Sequence, residues 1–190
     1  MRWFLGLILV TALAGSGSAQ PCQPDPEMRA RIENLRFAEG SRGDSPPGWY
    51  LGQKFMPGHV SGYEACNGGQ RCANVRSVRP EYNSPVAFLY QIVDATPYRG
   101  KKLTFRAAVR TDGAPGSVAR LLVRVHRNDC STSFRDDMGN HPISATKWSY
   151  YEIPAPIALD ARDIEFGMQV VGPGQAWIDS ISMDFADTAH

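Results

Sequence analysis

From Phe88 to Phe185 the chain alternates apolar and polar residues with a period of two, and every such run stops at a cluster of turn-forming residues. Successive side chains of a strand point to opposite faces, so this period describes strands with one buried face. Leu103, Phe105, Ala107 and Val109 alternate with Thr104, Arg106, Ala108 and Arg110, and Leu121, Val123 and Val125 alternate with Leu122, Arg124 and His126. Ile164, Phe166, Met168 and Val170 repeat the pattern, as do Phe88, Tyr90 and Ile92. Trp177, Asp179, Ile181, Met183 and Phe185 read as one face of the last strand. Thr111-Asp112-Gly113-Ala114-Pro115-Gly116, Met138-Gly139-Asn140-His141-Pro142 and Val171-Gly172-Pro173-Gly174 supply turns between runs. With 18 Gly and 14 Pro spread over 190 residues, few windows are long enough for helices. About eight to ten strands in an antiparallel sandwich or barrel are expected. Phe105, Val109, Val123, Phe166, Trp177 and Ile181 are the residues expected to point between the sheets. One short helix is predicted over Met28 to Asn34, with Asp25 as its N-cap and Pro26 in its first turn.

The beginning of the chain has a different character. Arg2 precedes an apolar run from Trp3 to Leu13, and small residues follow from Gly15 to Ala19. That is the three-part layout of a secretory signal peptide, with cleavage expected after Ala19. The run is about half of the roughly 20 residues that span a bilayer, so no membrane span is expected after cleavage. Pro21 directly before Cys22 argues against a lipid-modified cysteine. Residues 20–33 are read as an extension, 34–186 as one domain and 187–190 as a tail. The mature protein is expected to be secreted or periplasmic.

Export gives the four cysteines a meaning, because oxidising compartments turn an even count into disulfides. Three pairings exist. Cys66 and Cys72 enclose a loop that contains Gly68 and Gly69, whose freedom lets the ends meet. That leaves Cys22 with Cys130. Zinc is not expected, since Cys66 and Cys72 have neither the spacing nor the neighbouring His of a zinc site. The balance of 20 Lys and Arg against 19 Asp and Glu, without a basic block, removes the electrostatic footprint of a nucleic-acid binder.

Four local patterns in order resemble the galactose-binding-like jelly rolls found as carbohydrate-binding-module-like domains in exported bacterial proteins. The first is Asn34-Leu35-Arg36-Phe37-Ala38-Glu39-Gly40 with Pro47-Gly48-Trp49, and the second is Tyr98-Arg99-Gly100-Lys101-Lys102-Leu103. The others are Trp148 with Tyr151, and Ala176-Trp177-Ile178-Asp179-Ser180-Ile181. The resemblance implies an all-β, antiparallel β-sandwich of jelly-roll type, with Trp49, Trp148 and Trp177 in its interior. It also implies a structural calcium in some members, held by an acidic residue directly after the first-strand Phe and by the Asp of the last strand. Asp179 matches the second ligand. Ala38 stands at the first position and Glu39 comes one residue late, so the ligand set is incomplete and no cofactor is required.

Two motifs imitate other functions. Gly43-Asp44-Ser45, Gly139-Asn140 and the terminal Asp187-Thr188-Ala189-His190 follow the block order of SGNH hydrolases. His190 is the last residue and Ser45 lacks the strand and helix that present such a nucleophile, so no catalysis is expected. Arg42-Gly43-Asp44 resembles the integrin-recognised loop of fibronectin, but Gly-Asp-Ser-Pro is also ordinary turn chemistry.

The expected function is non-catalytic: a glycan-binding or cell-envelope accessory module. The alternative is a structural or protein-interaction sandwich with no sugar ligand. If a glycan is the partner, aromatic planes stack on the apolar face of the sugar, and Arg and Asp side chains exchange hydrogen bonds with its hydroxyls. The candidate ligand-binding residues are Tyr82, Tyr150, Arg106, Arg124, Asp136 and Asp137. Arg106 and Arg124 are taken to lie on the polar faces of two adjacent strands. Asp136-Asp137-Met138 also resembles an Asp-Asn-Met segment of the jelly-roll family.

Overall fold

The computed structural model describes residues 22–41, 45–52, 59–66, 71–78 and 86–188. The leader expected over residues 1–19, the Arg42-Gly43-Asp44 motif, Tyr82 and His190 lie outside them. Ten strands are described: β1 (Tyr50–Leu51), β2 (His59–Ala65), β3 (Arg71–Ser77), β4 (Val86–Asp94), β5 (Lys101–Thr111), β6 (Val118–Arg127), β7 (Thr132–Asp136), β8 (Ser149–Pro156), β9 (Ala161–Val171) and β10 (Gln175–Asp187). They form two five-stranded antiparallel sheets, a front sheet in the order β1-β4-β9-β6-β7 and a back sheet in the order β2-β3-β10-β5-β8. The chain is thus the all-β jelly-roll sandwich expected of it.

The alternating runs place their apolar phase between the sheets. Leu103, Phe105, Ala107 and Val109 from the back sheet meet Leu121, Val123, Val125, Ile164, Phe166 and Met168 from the front. Phe37 and Trp49 extend this core from the N-terminal segment, with Trp49 edge-on to Phe166 at 5.7 Å.

Four expectations are corrected. No helix forms over Met28 to Asn34; the carboxylate of Asp25 caps a turn by accepting from the Glu27 N–H at 2.8 Å. The chain then runs extended, and Arg29 pairs with β4 through two backbone hydrogen bonds of 2.8 Å. Strand pairing outweighs the local helix signal here, because a helix this short gains little alone.

Trp177 does not point between the sheets. Ala176 and Ile178 do, and after a register shift between Asp179 and Ser182 the inward phase passes to Ile181 and Met183. A β-bulge adds one residue and so exchanges the faces, and Ser180 within it has φ +50°. Trp177, 8% exposed, lies on the outer face with the Arg110 guanidinium 3.6 Å from its ring centroid. Trp148 joins it there, 5.4 Å from the same guanidinium, rather than entering the core.

In β4 the inward residues are Ala87, Leu89 and Val93, which leaves Phe88 and Tyr90 on the outer phase. Gln91 shares the inward phase, and its carboxamide is satisfied by the Glu33 backbone, donating at 2.5 Å and accepting at 3.2 Å.

The structure contains both disulfides, Cys22–Cys130 and Cys66–Cys72. The first ties the N-terminal segment to the turn after β6; the second closes the β2–β3 hairpin.

Gly167 lies between Tyr90 and Leu122 in the front sheet. A Cβ there would collide with the Leu89 carbonyl oxygen and stand 2.7 Å from the Tyr90 Cα. Gly167→Ala should therefore push β4 away from β9 and cost about 1–3 kcal/mol, as overpacking does. Chemical denaturation measures this, and an unchanged midpoint would show that β4 has slack.

Candidate functional site

The ladder registers order the outer face of the front sheet into rows. Phe88, Gln169 and Arg120 form one row; Tyr90, Gly167 and Leu122 the next; Ile92, Glu165, Arg124 and Arg135 a third; Asp94, Asp163 and His126 a fourth. Polar residues on β9 are buried on this face: Glu165 is 9% exposed and Gln169 5%. Burial of a carboxylate is costly unless it is paired. Arg124 meets that need, its Nη1 donating to both Glu165 oxygens at 3.0 and 3.2 Å, with its guanidinium 5.7 Å from the Phe88 ring centroid. The Nε atoms of Arg120 and Arg124 are buried and find no hydrogen-bond partner among the described residues.

Tyr50 lies beside Tyr90, ring centroids 6.0 Å apart. The Tyr90 hydroxyl donates to the Glu27 carboxylate at 2.6 Å. Burial, reinforced by that carboxylate, pushes the Tyr90 phenol well above its ordinary range, so it stays a donor at any physiological pH.

The segment after β7 forms the rim. Gln169 donates from Nε2 to the Asp137 carbonyl at 3.3 Å. Arg135 donates to the Asp137 carboxylate at 2.7 Å and holds it below the usual carboxylate range. The Asp136 carboxylate accepts the Met138 N–H at 2.8 Å and so caps the turn. Residues Arg135 to His141 line a cleft of about 510 Å³.

The structure divides the candidate residues taken from the sequence. Arg124, Asp136 and Asp137 all belong to the front sheet or its rim, but Asp136 is in register with inward-facing Val123, on the phase opposite Arg124. Arg106 and Tyr150 meet each other on the back sheet, guanidinium to ring centroid 4.3 Å, with Tyr150 57% exposed. β5 and β6 follow one another in sequence but belong to different sheets; alternation reports the face of a strand, not the sheet that holds it. Phe88, Arg120, Glu165 and Gln169 are not among the residues that the sequence offers for a site. Their signal was present in β9, where Asp163, Glu165 and Gln169 recur at the positions between Ile164, Phe166, Met168 and Val170. Ser45 hydrogen-bonds the Ser61 hydroxyl at 2.9 Å.

Asp179 lines a cleft of about 660 Å³ with Arg36, Ala38 and Arg71. Burial pushes its carboxyl up, against the pull of the Ser180 N–H. Calcium takes six to eight oxygen ligands. Here Arg71 already donates to the Ala38 and Gly40 carbonyls at 3.3 and 2.8 Å, and Asp179 is the one carboxylate in the lining. One carboxylate is a small part of such a set. Among the described residues no three His, Cys, Asp or Glu side chains gather as they would around a metal.

No family model matches the sequence. The chain is 29% identical over 120 residues to an uncharacterized HTH-type transcriptional regulator of Bacillus subtilis, a match covering 63% of this chain and 40% of that protein. Among solved structures it is similar to the CBM22-1 xylan-binding domain of Paenibacillus barcinonensis Xyn10C, with a TM-score of 0.58 and 10% identity over 82% of this chain and 94% of that one. It is likewise similar to the C-terminal family 22 carbohydrate-binding module of Clostridium thermocellum Xyn10B, with a TM-score of 0.58 and 15% identity, covering 88% of this chain and all of that one. The shared property is the jelly-roll fold.

At one end of the same face Asp163, 1% exposed, accepts from Arg162 Nε at 2.7 Å and lies 2.7 Å from His126 Nδ1. Burial works to raise its carboxyl, and the hydrogen bonds from His126 and Arg162 outweigh it, so it sits below the ordinary carboxylate range. A carboxylate lowered in the folded state adds stability above its unfolded pKa of ~3.9, and that contribution disappears as pH falls through the folded value. Asp163→Asn should cost about 3 kcal/mol at neutral pH, the size expected for a broken buried pair. Denaturant curves should show the gap to the parent protein closing in acid, and a gap independent of pH would refute the assignment.

Proposed function

We propose that this chain is a non-catalytic, exported module that binds a glycan on the outer face of the front sheet. The observation that carries this reading is the row pattern itself: Phe88 and Tyr90 stand next to the Arg124–Glu165 pair and Gln169 on a single face. An aromatic plane suits the apolar C–H face of a sugar ring. Carboxylate, carboxamide and guanidinium groups already held in place lose little freedom on meeting hydroxyls. The likeness to xylan-binding modules supports carbohydrate as the class of partner, and the two disulfides support an oxidising compartment. The same reading needs no calcium, because Arg71 already bridges the carbonyls of the N-terminal segment.

Calorimetry on xylan and other polysaccharides tests the reading. Phe88→Ala and Gln169→Ala should each weaken binding about tenfold, which corresponds to one lost stacking or hydrogen-bond contribution. Arg106→Ala and Tyr150→Ala, on the other sheet, should leave it unchanged. A folded protein silent across the panel would favour the protein-interaction sandwich instead. In thermal melts Arg71→Ala should lower the midpoint, while added calcium or a chelator leaves the parent protein unmoved; a calcium-dependent rise would overturn that part.

A further inference from the structure

The outer face of the back sheet carries a second polar recess, far from the rows described above. It has a volume of about 390 Å³ and is lined by β2, β3 and the start of β10, within the range of about 300–1,000 Å³ usual for small-molecule sites. Asn74 is at its floor. Only 7% of this residue is exposed; its carboxamide makes no hydrogen bond to a described residue and opens to the recess rather than being sealed from solvent. A carboxamide that lines a recess with its donor and acceptor unused by the protein is free to meet a ligand. Its register partner on β2 is Gly62, which has no side chain to cover it.

Glu64 stands one position further along the same face. Its Oε1 accepts from Gln175 Nε2 at 3.3 Å and from the Trp177 indole N–H. Both donors converge on one oxygen, so the carboxylate is fixed while Oε2 keeps its accepting capacity. Arg76, exposed at the rim of the recess, adds donors. The Cys66–Cys72 disulfide closes the hairpin that holds Asn74 and Glu64.

We propose that this recess binds an uncharged vicinal diol, such as the end of a sugar ring, independently of the front sheet. One hydroxyl donates to Glu64 Oε2 and the other to Asn74 Oδ1, while Asn74 Nδ2 and Arg76 donate to the diol oxygens. An acceptor, an amide and a donor side by side match two adjacent hydroxyls, each of which both gives and takes a hydrogen bond. An anion would face Glu64, and a cation would face Arg76.

Nitrogen-15 spectra of the mature chain, titrated with xylose, galactose, mannose and glucose, provide the test. At least one sugar should shift the amide signals of Gly62, Asn74 and Gln175, including the Asn74 side-chain pair. Asn74→Ala should weaken that response at least tenfold, and Glu64→Gln, which keeps an acceptor for Trp177, should weaken it too. Phe88→Ala should leave it intact, so failure here is separable from failure of the front-sheet reading. Shifts confined to the front sheet, no shift at these three residues with any sugar, or an unaltered response in folded Asn74→Ala would each overturn the proposal.

Discussion

Phe105 of the back sheet and Phe166 of the front sheet meet edge to face between the layers, ring centroids 5.5 Å apart. Trp49 packs on Phe166, and Phe37 on Trp49 at 5.4 Å, so the N-terminal segment belongs to the core rather than decorating it. Such contacts favour a particular angle between the rings as well as burial. The outer faces inherit this order. Phe166 lies between Glu165 and Gly167 in one strand, so the ring that anchors β9 inward also sets the height of Glu165 on the opposite face.

Most of the architecture was legible because burial writes a period of two into each strand. β5, β6 and β9 have the inward residues that alternation assigns them, and the disulfide partners follow from one short loop and the cysteines that remain. The misreadings have local causes. In β10 the alternation was continued through Asp179 to Ile181, where a bulge exchanges the faces, and Trp177 was therefore placed inside. In β4 large apolar residues occupy both phases, so hydrophobicity alone could not choose between Leu89 and Phe88. The helix expected after Asp25 rested on its capping residues, and pairing of Arg29 with β4 prevailed.

The candidate site was less legible than the fold. Its residues come from β4, β6, β7 and β9, and nothing in their spacing shows that β9 lies between β4 and β6. Arg106 and Arg124 have the same character in sequence and opposite locations in space. Only the sheet order reveals that Arg124 answers Glu165 while Arg106 leans on Tyr150. Placing Arg beside aromatic rings is common to both faces of the sandwich; the buried carboxylate beneath Arg124 is what distinguishes the front.

The Cys22–Cys130 bridge joins positions 108 residues apart, and β1 to β6 all lie between them. Tension applied on either side of the bridge, before Cys22 and at the end of β10, would pass from Cys22 directly to Cys130 and reach only β7 to β10. Six strands are thereby removed from the load path. The stretch of chain that force can draw out is thus limited to the C-terminal third, while Phe88, Tyr90 and Arg124 remain inside the covalent ring.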